Sequence, residues 1–178
     1  MPHQSLIRKR RNIGPDRYYV CFIPPRGVRR NIAVALEGIS RTRWRPPAQL
    51  WMAACEIRAD PSQADLLLSV FESIPSEPVS ASIDGAHVLV KGRRPFGLGF
   101  GLSDRDELTI RNVQIVEAFQ MRHVEAKPNA PRIVAARFPN RVRFQVDELN
   151  RWLVRWSTLT SEPFTFLNMA LVEGVSSP

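Results

Sequence analysis

The sequence predicts an α+β fold built as two related lobes, and three observations favour this class. A short β-type run, residues 18–23, ends at Pro24-Pro25, and an amphipathic helical stripe follows it. The second half of the chain has a similar order of strands and helices, without the strict βαβ alternation of a doubly wound fold. The 178 residues and 44% hydrophobic content suit one compact domain, or two small lobes that share a core.

The first half is predicted to contain three strands and two helices. The strands are residues 18–23, 50–57 and 79–90, the last with a turn at Asp84-Gly85. The second helix begins with Asp60 as N-cap and Pro61 at its first position. The first helix is predicted from apolar residues at helical spacing, which are Val28, Ile32, Ala35, Leu36 and Ile39.

The second half is predicted to contain three further strands, at residues 96–102, 133–138 and 163–172. Ser103, followed three residues later by Asp106, has the form of a capping box and predicts the start of a long helix. Another helix is predicted from the apolar spacing of Val146, Leu149, Leu153, Trp156 and Leu159. The helices of each half can cover one face of a sheet, as in an α+β fold.

Residues 1–16 are polar and basic without periodicity, and they predict a flexible tail ahead of one bilobal domain, residues 17–178. No apolar run approaches the roughly 18 residues that a membrane span needs. No apolar segment follows the basic run at residues 8–11, as it would in a signal peptide. Cys21 and Cys55 lie in apolar strand-like runs, so buried reduced thiols are expected rather than a disulfide. A cytoplasmic protein without a membrane partner is therefore expected.

The formal charge of +8 favours partners that carry phosphate or carboxylate groups. Of the 25 cationic residues, only Lys9, Lys91 and Lys127 are lysine, and arginine suits planar, bidentate contact with phosphate better. A GC-rich genome produces the same arginine bias, so charge alone favours nucleic-acid binding only modestly. The histidines and cysteines lack the spacing of metal ligands, and neither a metal nor a cofactor is predicted.

The order of elements and two segments of the chain resemble the 2H phosphoesterase family, which includes the 2'-5' RNA ligase-like proteins. The first strand ends in two prolines, a helix and a turn with Trp44 follow, and residues 49–54 (Gln-Leu-Trp-Met-Ala-Ala) stand where the family has a His-x-Thr strand. Residues 131–137 (Pro-Arg-Ile-Val-Ala-Ala-Arg) resemble the second such motif. The resemblance covers residues 17–173 and implies two lobes of antiparallel sheet, with flanking helices, around a central cleft.

In that family the two histidines act as general base and general acid on a phosphodiester, and the threonine hydroxyls hydrogen-bond its oxygens. This sequence departs from the pattern at all four places, which we call the motif positions: Trp51, Ala53, Arg132 and Val134. Tryptophan accepts no proton, arginine stays protonated, and alanine and valine carry no polar group. The resemblance therefore implies the fold with a degenerate site, and no catalytic residue is predicted at the motif positions.

Six residues are candidates for ligand contact around the predicted cleft: Trp51, Arg132, Arg43, Trp44, Arg45 and His87. Arg132 would hold a phosphate, or be a solvated or ion-paired arginine. Trp51 would stack on a base, fill the vacated cleft, or pack at its rim. The arginines around Trp44 resemble the cation–aromatic grooves that bind single-stranded nucleic acid, although the family has a similar turn there for structural reasons. A lone histidine such as His87 is more often structural.

Residues 97–101 (Gly-Leu-Gly-Phe-Gly) lack the spacing of a phosphate-binding loop, so close packing of the strand is the better interpretation of these glycines. The leading functional hypothesis is a non-catalytic protein of the 2H type that binds RNA or a nucleotide phosphate through arginines of the cleft. The second is an RNA 2',3'-cyclic phosphodiesterase that uses other residues, including His87 or His123. The third is a structural scaffold whose filled cleft binds a protein partner.

Overall fold

The computed structural model describes residues 16–37, 43–44, 47–92, 94–138 and 146–174. Nearly all of the predicted tail lies outside these residues, and Asp16 already belongs to the first strand. The described residues form four α-helices: α1 Arg26–Leu36, α2 Ala64–Ser73, α3 Arg105–Gln120 and α4 Val146–Trp156. The strands are β1 Asp16–Ile23, β2 Arg43–Trp44, β3 Met52–Ala59, β4 Val79–Ala81, β5 Ile83–Lys91, β6 Arg94–Leu102, β7 Glu125–Pro128, β8 Arg132–Arg137, β9 Phe164–Phe166 and β10 Asn168–Gly174. None of these helices is long and apolar enough to cross a membrane.

Eight of the strands form one sheet with the order β10-β1-β3-β8-β6-β5, in which β2 also pairs with β8 and β7 with β3. Strands β4 and β9 form a separate two-stranded sheet. The strand pairs are antiparallel, so the predicted α+β class with antiparallel sheets is confirmed. The two halves of the large sheet join where β3 meets β8, at the single residue pair Met52 and Ile133. This arrangement is consistent with two lobes.

One face of the large sheet is covered by helices and forms the core; we call it the helix face. Phe22 pairs with Met52, Met52 with Ile133, and Ile133 with Phe100, and paired residues point to the same face. All four are at most 1% exposed. The Trp152 ring of α4 packs edge-on against Phe100, with ring centroids 6.0 Å apart. The helix face thus extends without interruption across the junction between the two halves.

The predicted N-cap at Asp60 is confirmed, although a 3-10 turn, Pro61–Gln63, separates it from α2. The Asp60 carboxylate accepts a hydrogen bond from the Ser62 backbone N–H at 2.9 Å, and Gln63 Oε1 accepts from the Asp60 N–H at 3.0 Å. The bond from Ser62 lowers the pKa of Asp60, because it favours the ionised carboxylate. The cap therefore stabilises the fold above the ordinary carboxyl pKa, and this contribution is lost as the pH falls through the lowered value.

The capping box predicted at Ser103 is wrong. The N-cap of α3 is Asp104, which has a left-handed backbone (φ 56°) and makes no side-chain cap hydrogen bond. The Ser103 hydroxyl accepts a hydrogen bond from the Ser82 N–H at 2.9 Å, across the entry to β5. The Ser103 hydroxyl therefore makes a tertiary contact and does not cap α3.

Two of the predicted strands are each divided into two strands in the structure. Residues 79–90 form β4 and β5, and Gly85 (φ 75°) lies within an irregularity of the β5–β6 register rather than in a hairpin turn. Residues 163–172 form β9 and the greater part of β10. Strand β7 was not predicted, because its four residues include one lysine, one glutamate and one proline and show no apolar run.

Candidate functional site

The pairing of β3 with β8 brings the motif positions together on one face of the sheet. Met52 and Ile133 are direct partners and point to the helix face. Antiparallel register then sets the flanking residues opposite each other, and alternation turns them to the other face, which we call the motif face. Trp51 lies just before β3. The opposed pairs on the motif face, all half-buried, are Trp51 with Val134 and Ala53 with Arg132.

The glycines of β6 line the motif face beside β8, where Gly99 pairs with Val134 and Gly101 with Arg132. A Cβ atom added at Gly99 would lie 2.7 Å from the carbonyl oxygen of Ile133, and at Gly101 it would lie 2.6 Å from that of Asp84. Such distances are too short for any side chain. The interpretation of these glycines as close strand packing is therefore confirmed.

His87 lies on the motif face near Arg132. It pairs with Gly99 across β5 and β6, and its Nε2 is 2.7 Å from the position that a Cβ of Gly101 would occupy. The ring is exposed, and Nε2 is 3.1 Å from the backbone oxygen of Asp84. His123 lies elsewhere, in the turn between α3 and β7, with a left-handed backbone (φ 59°). The structure thus brings one of the two candidate histidines to the motif positions and not the other.

The Arg132 guanidinium has no polar side chain beside it on either neighbouring strand. Its side chain is half-buried between Ala53, which has no polar group, and Gly101, which has no side chain. Among the described residues it makes no hydrogen bond or ion pair with another protein group. A partly buried charge without a counter-ion is unfavourable, so an anion at this place would stabilise it.

Of the other candidate arginines, Arg43 lies on β2, which pairs with the last residues of β8, and Arg45 lies outside the described residues. The backbone of β2 places Arg43 opposite Arg137 and Trp44 opposite Ala136. The predicted ligand contacts of the Arg43 and Trp44 side chains, and of Arg45 as a whole, fall outside what the structure describes. Their role stays a prediction.

The motif face also carries a group of polar residues that were not predicted from the sequence. In β1, Arg17 and Tyr19 alternate with the buried Tyr18 and Val20 and so point to the motif face. Their partners on β3 are Arg58 and Glu56. Glu56 pairs in turn with Lys127 of β7. The alternation within β1 was visible in the sequence, but the strand partners were not.

The motif positions and Cys55 offer no group for proton transfer or nucleophilic attack near neutral pH. The four motif positions include no group that exchanges a proton near neutral pH. Burial raises the pKa of the Cys55 thiol to about 12, against a smaller lowering by its hydrogen bond with the Val20 backbone, so it stays protonated. Both cysteines are buried and neither forms a disulfide, which confirms the prediction of reduced thiols. No group of three or more His, Cys, Asp or Glu residues able to hold a metal occurs among the described residues.

No protein-family model and no curated protein matches the chain. A solved structure does: TT0787 of Thermus thermophilus superposes with a TM-score of 0.52 at 16% sequence identity, over 89% of this chain and 85% of that chain. TT0787 has the 2H phosphoesterase/2'-5' RNA ligase-like fold. The fold is shared. At 16% identity the likeness concerns the architecture alone.

Proposed function

We propose that this chain is a non-catalytic protein of the 2H phosphoesterase type, which binds RNA or a nucleotide phosphate on the motif face, in the cleft between its two lobes. The observation that carries the proposal is Arg132. Its side chain is half-buried at a motif position and makes no ion pair or hydrogen bond among the described residues. A phosphate would supply the missing counter-charge and accept two N–H donors of the planar guanidinium.

The surroundings of Arg132 support a phosphate ligand over a carboxylate of the protein itself. Ala53 and Gly101 leave the guanidinium without a competing side chain on either neighbouring strand. Trp51 adds an aromatic ring on the same face, and aromatic rings beside cations are typical of sites for single-stranded nucleic acid. The net charge of +8 favours the approach of any polyanion.

The non-catalytic part of the proposal rests on the motif positions. Phosphodiester cleavage by this fold needs one group that accepts a proton and another that donates one. Arginine stays protonated, tryptophan accepts no proton, and alanine and valine carry no polar group. His87 is a single imidazole on the motif face, and its Nε2 is already directed at the Asp84 carbonyl. One imidazole does not replace the pair.

The test is the binding of a fluorescent single-stranded RNA, measured as a function of salt, for Arg132→Ala and for a matched control. Arg122→Ala is the control, because Arg122 is exposed in the turn after α3 and its replacement removes the same charge. Arg111 is unsuitable, since it is buried, pairs with Glu77 at 3.7 Å and donates to the Pro75 carbonyl. We expect Arg132→Ala to weaken binding and to flatten the plot of log affinity against log salt by about 0.7.

Two outcomes would contradict the proposal. Equal effects of Arg132→Ala and Arg122→Ala would indicate diffuse attraction by the net charge. Absence of RNA binding by the unmodified protein at low salt would favour the scaffold with a protein partner. A location in the cytoplasm is part of the same proposal and rests on the sequence alone.

A further inference from the structure

A second group of cations shares the motif face with Arg132. Arg17, Arg58 and Lys127, on β1, β3 and β7, surround the carboxylate of Glu56; we call these four residues the Glu56 cluster. Glu56 Oε1 is 3.9 Å from Arg17 Nε, 3.8 Å from Arg58 Nε and 3.4 Å from Lys127 Nζ. The alternation of β1 and the register of β1, β3 and β7 direct all four side chains to the motif face.

The Glu56 cluster has donors left for an external anion. Its contacts with Glu56 are ion pairs too long for normal hydrogen bonds, and Glu56 Oε1 has no hydrogen-bond donor among the described residues. The cation side chains are 42 to 56% exposed, whereas Glu56 is 12% exposed. Counting the exposed Glu125, which is 3.8 Å from Arg58, three cations face two carboxylates. The cluster therefore keeps a positive charge on its solvent side.

An aromatic ring adjoins this cluster, as Trp51 adjoins Arg132. Tyr19 pairs with Glu56, is half-buried, and lies over Gly174 of β10, where an added Cβ would be 2.5 Å from Tyr19 Cε2. Cations next to aromatic rings therefore occur at two places on one face. This combination is typical of surfaces that follow the backbone of a single strand and stack its bases.

The distance between Arg132 and the Glu56 cluster indicates what size of ligand could contact both. Arg58 pairs with Arg17 and Ala53 with Cys21, which are four residues apart on β1, and Ala53 is opposite Arg132, so the two arginines are about 13 Å apart along the strand. One phosphate cannot neutralise both. We propose that the ligand is a single-stranded oligonucleotide whose backbone runs from Arg132 along β3 to the Glu56 cluster, and not a mononucleotide. This inference rests on the proposed function of Arg132 and extends it to a second phosphate subsite.

The experiment compares a labelled oligouridylate of about twelve nucleotides, within the usual site sizes, with uridine monophosphate as competitor. The variant is Arg58→Ala/Lys127→Ala, and its matched control is Arg30→Ala/Arg122→Ala, which removes two exposed arginines from α1 and from the turn after α3. We expect the variant to weaken oligonucleotide binding more than the control and to reduce the salt slope by about 1.4. The competition constant of the monophosphate should be unchanged.

A second variant, which is expected to strengthen binding, distinguishes a change at the site from a loss of folding. Glu56→Gln removes the counter-charge and leaves the cations, so oligonucleotide binding should become tighter than with Glu72→Gln, an exposed change of the same charge on α2. Equal behaviour of each variant and its control would overturn the inference, because the cluster would then serve only the fold. If Arg132→Ala weakens binding in that case, the proposed function stands without the second subsite. If no variant differs from its control, both fail.

Discussion

Gly97 shows how closely β6 and β8 approach each other at the level of one residue. A Cβ at this position would lie 2.3 Å from the carbonyl oxygen of Ala136, which is a backbone atom and cannot turn away. Gly27, near the start of α1, has no atom within 4 Å of the same added group. The two glycines therefore allow a direct comparison of a crowded site and an open one.

We predict that Gly97→Ala destabilises the protein by about 1–3 kcal/mol, because the strands must separate to accommodate the methyl group. Gly27→Ala should be neutral or stabilise by up to roughly 1 kcal/mol, since alanine is the better helix former. Urea denaturation of both variants measures the difference in free energy of unfolding. Equal stability of the two variants would show that the β6–β8 contact is looser than the structure indicates.

At the scale of elements, α4 is tied to α1 as well as to the sheet. The last carbonyl groups of a helix have no partner within it. One of these, on Ala35 of α1, accepts a buried hydrogen bond of 2.6 Å from Trp152 Nε1. The same Trp152 ring packs edge-on against Phe100 of β6, with an interplanar angle of 72°. One side chain thus joins two helices and a strand of the helix face.

We predict that Trp152→Phe costs about 1–3 kcal/mol, because the Ala35 carbonyl is left buried without its donor while the aromatic contact is largely kept. Trp156→Phe is the matched control on the same helix: Trp156 is half-buried, and its indole N–H donates no hydrogen bond within the described residues. Thermal unfolding of the two variants gives the comparison. A loss of stability as large in Trp156→Phe would assign the effect to ring size rather than to the hydrogen bond.

At the scale of the whole molecule, the shared architecture does not by itself indicate an activity, and the residues at the motif positions have to be considered separately. The architecture matches that of TT0787 over most of both chains. The motif positions, which the register sets side by side, hold none of the groups that would transfer protons. A fold can persist after its chemistry is lost, because function depends on the site.

We predict that the protein hydrolyses no 2',3'-cyclic nucleotide above the buffer rate. A general acid and a general base each contribute about 10²- to 10⁴-fold, so the loss of both should abolish useful turnover. Product formation is measured on repurified protein, with His87→Ala alongside. Turnover that is proportional to the protein and lost in His87→Ala would support the phosphodiesterase hypothesis and contradict the non-catalytic one.

The sequence by itself determined the features that depend on neighbours along the chain. The prolines after residue 23, the apolar spacing of α1 and the Asp60 cap are local signals, and each predicted its element. The motif contexts around Trp51 and Arg132 are likewise short contiguous segments, which lead into β3 and β8. Strand β7 was not predicted, because a polar edge strand has no apolar pattern. The start of α3 was predicted wrongly, because the Ser103 hydroxyl accepts a hydrogen bond from the Ser82 N–H instead of capping the helix.

The tertiary structure alone decided which residues share the motif face. Strict alternation from Ala53 would direct Cys55 and Ile57 to that face, but the register shifts opposite Val20 and Cys21, so Glu56 and Arg58 point there instead. Lys127 joins them only because β7, which is distant from β3 along the chain, pairs with it in the sheet. A bulge and a distant strand pairing are set by the packing of the whole sheet, and neither leaves a local pattern in the sequence.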